Sequence, residues 1–188
     1  MNLRFLVALI LAGLAGCATP ALVGPGVVRV DGLQLQTPIA WSQRGQSGER
    51  QWTIDGPLLN ALEIYTRVKP GELLFDLPAA KQREGIRYRE GMSELELQEL
   101  VADGLLAAGV VDIRLLELRP AKLGDFTAVE FELAFANAVG LRYQALALAS
   151  QANGELTLLL YYAPAEYYYE RDRSTVLLML RSARLAPN

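Results

Sequence analysis

Few groups in this chain are able to do chemistry. Cys17 is its single thiol, and no histidine stands anywhere in the 188 residues. The commonest general base near neutral pH, and the commonest transition-metal ligand, are thereby missing. Arg44-Gly45-Gln46-Ser47-Gly48 superficially has the look of a serine nucleophile turn. It lacks the G-x-S-x-G spacing and a histidine partner, so a flexible loop accounts for it. Glu130 and Glu132 alternate within one strand pattern, about 7 Å apart. Two such carboxylates are able to bind calcium or share a proton, yet a solvated sheet face explains alternating glutamates without further cause. No zinc-ligand spacing, phosphate-binding glycine loop or dinucleotide fingerprint is present in the sequence. The expectation is a non-enzymatic chain with no catalytic residue, no metal site and no cofactor.

Recognition chemistry is better represented. Lys81, Arg83, Arg87 and Arg89 gather positive charge against Glu84 and Glu90. They suit lipid phosphates or an acidic partner, although the interleaved glutamates dilute the field. Tyr161, Tyr162, Tyr167, Tyr168 and Tyr169 cluster at a strand-to-helix junction near the C-terminus. Consecutive helical residues cannot share one face, so Tyr167 or Tyr168 is expected at the surface. Tyrosine is favoured at protein interfaces because one end is apolar and the other wet. Tyr167, Tyr168, Arg83, Arg87 and Arg89 are therefore the candidate partner surface. Ala145, Ala147 and Ala149 share a strand face. They either leave room for an apolar ligand, the basis of an alternative reading as a lipid carrier, or let a helix approach the sheet closely.

Cys17 gains a role from what precedes it. Residues 1–4 carry one positive charge, Arg4, and Phe5 to Leu14 form an apolar run. A run of about ten residues matches a secretory signal. A membrane-spanning helix needs roughly twenty. Leu14-Ala15-Gly16-Cys17 resembles the lipobox of bacterial lipoproteins. The resemblance implies cleavage after Gly16, a thioether-linked diacylglycerol on Cys17 and acylation of the new N-terminus. Several acyl chains, at about 0.8 kcal/mol per buried methylene, make a stable anchor where one is marginal. In Gram-negative lipoproteins an aspartate after the cysteine commonly signals inner-membrane retention. Ala18 stands there, which implies the outer membrane, facing the periplasm. The lipid bilayer, through acylated Cys17, and an envelope protein are the expected partners.

Loss of Arg4 with the leader takes the 18 basic residues to 17 against 21 acidic ones, a formal net charge of −4. That balance argues against nucleic acid as a partner. With the one cysteine lipidated, no disulfide is available, although the periplasm permits them. Stability then rests on the core, and an apolar fraction of 52% argues against disorder.

The pattern divides into a signal peptide (1–16), a lipidated tether (17–26) and a single domain (27–188). Leu33 and Leu35 alternate with Gln34 and Gln36, so a strand is expected there. Residues 41–50 read as a loop or wide hairpin, 51–55 as a short strand, and 60–68 as a strand with Leu62 and Ile64 on one side. Residues 77–92 read as a long charged loop. Ser93-Glu94-Leu95-Glu96 is a capping box, with Leu97, Leu100, Val101 and Leu105 at helical spacing and Gly109 as the stop. Strands are expected at 112–119, 126–135, 141–150 and 155–162, with Asn153-Gly154 as a type I′ hairpin turn. Val129, Phe131, Leu133 and Phe135 face in, with Glu130 and Glu132 outward. Pro164 is expected to open a last helix. Tyr169, Val176, Leu180 and Ala183 lie on its buried stripe, and Glu166, Glu170, Arg173 and Arg181 on its wet side.

The fold class is therefore α+β: an antiparallel sheet of about six to seven strands with both helices packed on it. Its order is three strands, a helix, a four-strand meander and a C-terminal helix. That order, Trp41 after Pro38, the segment from Met92 to Val101 and the closing amphipathic helix resemble the PsbP/Mog superfamily. This superfamily includes photosystem extrinsic subunits, Ran-binding proteins and DcrB-like bacterial lipoproteins. The resemblance implies a binding or assembly module.

Overall fold

The computed structural model describes residues 20–77, 82 and 85–185. Its strands are β1 (Ala21–Val23), β2 (Gly26–Val30), β3 (Leu33–Thr37), β4 (Trp41–Gln46), β5 (Glu49–Thr53), β6 (Ala61–Val68), β7 (Val111–Leu123), β8 (Phe126–Ala136), β9 (Arg142–Ala152), β10 (Glu155–Pro164) and β11 (Arg184–Leu185). Helix α1 (Glu94–Ala108) precedes β7, and α2 (Tyr168–Ser182) follows β10. Eight strands pair antiparallel in the order β1-β4-β5-β6-β10-β9-β8-β7, and β11-β3-β2 form a small second sheet. The α+β expectation holds, with more strands than anticipated. Among the described residues, no helix is long and apolar enough to cross a membrane.

The extra strands include β1 and β4. Ala21–Val23, assigned from sequence to the tether, pairs with Trp41–Gln43, and Val23 is buried beside Trp41. Three residues between a proline and a Gly-Pro pair are too few to show alternation. Of the loop or wide hairpin expected at 41–50, the structure shows the hairpin, and a tight one: Ser47-Gly48 turns the chain and pairs Gln46 with Glu49. Polar side chains at 42–51 hid this strand pair.

Two cores lie on opposite faces of the large sheet. On one face, α2 and the small sheet cover Trp41, Trp52, Leu62, Ile64, Leu146, Leu148, Leu159 and Tyr161. On the other, α1 covers Phe131, Leu133, Leu158 and Leu160, beside Leu74, Tyr88 and Met92 of the preceding segment. The helices thus cover both sides of the sheet. This is why the central strands β8, β9 and β10 are buried almost throughout.

Local chemistry sets the elements. Ser93 Oγ accepts from the Glu96 amide at 3.3 Å, and Glu96 Oε2 accepts from the Ser93 amide at 2.8 Å, closing the capping box. Gly109 ends α1 at φ 105°. Asn153 and Gly154 both take positive φ, as a type I′ turn demands. The segment before α1 is more ordered than a charged loop. Leu73 bridges Arg87, Tyr88 is fully buried, and the Gln151 side-chain amide brackets the Met92 backbone with bonds of 2.6 and 3.0 Å. Pro164 ends β10 opposite Tyr143, and α2 begins only at Tyr168. The Ala165 amide still donates to the Arg142 carbonyl at 3.0 Å, holding the chain extended. At the sheet's outer edge, β7 breaks register twice, between Val111 and Arg114 and between Leu115 and Leu118, and carries Pro120.

Candidate functional site

The junction from β10 to α2 is built from the inside outward. Tyr169 is buried and stacks on Tyr161 with ring centroids 6.1 Å apart. Tyr161 donates to the buried Asp172 at 3.0 Å. Arg171 donates to both Asp172 oxygens at 2.7 Å and also to Asp55. Asn60 ties the same group together. Its amide donates to Asp55 at 2.7 Å, while its carbonyl accepts from the Thr53 hydroxyl and the Ile54 and Asp55 amides. The Arg171 hydrogen bond holds the Asp55 carboxyl below its usual range, and the Asp172 bond foremost pushes the guanidinium up.

This fixed guanidinium lies over two rings, 5.7 Å from the Tyr167 centroid and 5.1 Å from Tyr168. The rings meet edge to face at 5.1 Å. Tyr167 is nonetheless 62% exposed. Leu58 and Val139, 79% and 88% exposed, lie at the same end of the sheet, where the Tyr143 hydroxyl donates to the Leu58 carbonyl at 3.2 Å. The result is a surface aromatic that rests against a fixed guanidinium and a neighbouring ring.

The arginines lie elsewhere. Arg87 donates to the Gly71 and Gln82 carbonyls at 2.9 and 3.1 Å, and Arg89 pairs with Glu96 at 3.1 Å. Their neighbour Tyr88 reaches Gly154, at the opposite end of β10 from Pro164. Nine strand steps, about 30 Å, separate the two groups. The structure therefore does not join Tyr167 and Tyr168 to Arg87 and Arg89 as one surface. Arg83 and Cys17 lie outside the described residues.

One further expectation is corrected. Glu130 is 3% exposed rather than solvated, because α2 covers its face, and Arg181 grips it through two bonds of 3.0 Å. Glu132 accepts from Arg173 and from the Tyr169 hydroxyl. Arg173 and Arg181 reach inward from the wet side of α2 to these carboxylates, Arg181 while staying half exposed. Of the three alanines of β9, Ala149 lines a cavity of about 220 Å³ together with Met92, Leu97 and Val129. Cross-strand neighbours flank each one: Val129 and Leu158 about Ala149, Phe131 and Leu160 about Ala147, Leu133 and Tyr162 about Ala145.

No protein-family model matches the chain, and no curated protein matches it. Solved structures do. Cyanobacterial PsbP (CyanoP) from Synechocystis sp. PCC 6803 has a TM-score of 0.56 at 12% identity, over 92% of this chain and 96% of that one. A mutant of Mog1 has a TM-score of 0.50 at 8% identity, over 88% and 98%. The fold is of the PsbP/Mog1 type. At such identities this type names an architecture and no site. Tyr167 and Tyr168 are the residues the sequence singled out at this junction; the group that Arg171 joins beneath them, Asp172, Asp55 and Asn60, was not anticipated. The four-residue step from Tyr167 to Arg171 was the one local signal available.

Proposed function

We propose that this PsbP/Mog1-type chain is an outer-membrane lipoprotein, anchored through acylated Cys17, that works as a non-enzymatic binding or assembly module of the cell envelope. The observation that carries the binding role is Tyr167, exposed yet clamped by a guanidinium that two carboxylates hold. Rigid amphipathic aromatics ordered before contact lose little entropy on association and dominate many interfaces. Leu58 and Val139 extend that end with apolar surface.

Labelled palmitate fed to the native host tests the anchor. Incorporation is expected in the wild type, and Cys17→Ser should lose both the label and membrane fractionation. Affinity capture of the acylated protein from its own membranes tests the contact face. An envelope partner should be recovered reproducibly, with recovery falling about tenfold or more for Tyr167→Ala. Equal recovery, or no reproducible partner, overturns the binding role.

A further inference from the structure

On the α1 face, the sheet extends past the helix at β5 and β6. Glu49, Gln51, Glu63 and Tyr65 occupy that overhang, joined by Phe75 and Asp76 from the segment after β6. Together they line a cleft of about 670 Å³. Phe75 meets Tyr65 edge to face at 5.5 Å. Helix α1 holds Phe75 in place through Gly104, where a Cβ would come within 2.5 Å of the Phe75 ring. The aromatic wall is therefore fixed from behind.

Glu63 is the unusual member. It is 8% exposed, and both its donors sit on one oxygen: Gln51 Nε2 at 2.7 Å and the Tyr162 hydroxyl at 3.0 Å, each on Oε1. Among the described residues, nothing donates to Oε2. No salt bridge among them reaches Glu49, Glu63 or Asp76 either. Arg44 lines the same cleft without pairing. Oε2 is not one of the fully buried atoms; it reaches the cleft, where a charged donor can complete a carboxylate that is otherwise buried. Burial pushes the Glu63 carboxyl up, with Glu49 adding to it, and Glu49 is raised by its own burial and by Asp76. Carboxylates crowded this way relax when a cation enters.

We propose that the cleft is a binding site for a guanidinium or ammonium group, with Glu63 Oε2 accepting its hydrogen bond, Glu49 and Asp76 balancing its charge, and the Tyr65 and Phe75 rings flanking its stem. Aromatic walls beside carboxylates favour such cations over neutral donors. The site lies on the α1 face of the sheet, whereas α2 covers the other, and it stands whether or not the binding role proposed above does.

Calorimetry and amide-shift NMR on the folded protein test it, with butylguanidinium and the peptide acetyl-Gly-Arg-Gly-amide as probes. Saturable binding is expected, with shifts centred on residues 49–51, 63–65 and 75–76. Glu63→Gln, which keeps the hydrogen-bonding shape and removes the charge, should weaken it at least about tenfold. Glu49→Gln should weaken it less, and Tyr167→Ala should leave it unchanged. Butylguanidinium binding as tightly as the peptide assigns a free small cation. A markedly tighter peptide assigns a side chain borne by a protein. No saturation by either probe up to about 10 mM, or equal affinity in a Glu63→Gln protein of unchanged amide spectrum elsewhere, overturns the proposal.

Discussion

The two faces of the central sheet treat buried carboxylates in opposite ways. Under α2, Glu130 is matched by Arg181, Glu132 by Arg173 and Asp172 by Arg171. Under the α1 face, Glu63 meets only neutral donors, on a single oxygen. The covering element explains the difference. Helix α2 brings Arg173 and Arg181 down onto β8, and its Arg171 closes on its own Asp172 and on Asp55 after β5, whereas α1 carries no basic residue and stops short of β5 and β6. Charge that is answered from within serves to fasten the helix. Charge left unanswered is free to answer something else.

Breaking the matched side should have the largest effect. Arg181→Met leaves Glu130 buried with only Arg119 nearby at 3.9 Å. Loss of about 2–3 kcal/mol in urea unfolding is expected, below the loss for a fully enclosed pair because Arg181 is half exposed. Adding Glu130→Gln should restore much of it; a double variant as weak as the single one would mean the pair is not the fastening.

The unmatched side predicts the reverse sign. Burial raises the folded Glu63 pKa above its ordinary 4.5, so the folded state holds the proton more tightly. Stability therefore falls as pH rises through that window and stays reduced above it. Glu63→Gln should be more stable than wild type at neutral pH. Each kcal/mol regained appears as a rise of about 2–4 °C in Tm. The gain should vanish below pH 4.5, where both states of the wild type are protonated. A Tm that falls at neutral pH would contradict the comparison.

Asp31 offers a smaller, surface version of the matched case. Its carboxyl is lowered chiefly by the Arg50 hydrogen bond, aided by Ser47 and the Gly48 amide. Its stabilisation is complete above the ordinary value of 3.8 and lost as pH falls through the folded value. Asp31→Asn should lose about 1 kcal/mol at neutral pH, with the difference from wild type closing in acid. Least of all, Tyr167→Ala should shift stability by within about 0.5 kcal/mol, since its ring is mostly outside the core. A larger drop would mark Tyr167 as structural rather than a contact residue.

Much of the architecture was legible in the residues. The capping box from Ser93 to Glu96, the Gly109 stop and the Asn153-Gly154 hairpin are short-range signals, and each formed where expected. Alternation along β8 sorted Phe131 and Leu133 from Glu130 and Glu132 correctly. It could not say what covers each face. Period two reports which side chains share a side, and the arginines that neutralise Glu130 and Glu132 lie more than forty positions away. The same blindness hid Asp55 and Asn60 behind Tyr167, and Gln51 and Tyr162 around Glu63. Their meeting depends on strand order, which no local pattern encodes.

The kinked outer strand β7 bears on how such a body behaves when packed densely. A thirteen-residue edge strand, paired with β8 on one side only, is long enough to recruit a neighbour's strand. Two slips in register, Pro120 and the charges of Arg114, Glu117, Arg119 and Lys122 deny that neighbour a straight run of partners. Copies of this chain that meet along that border are poorly matched for zipping into fibres.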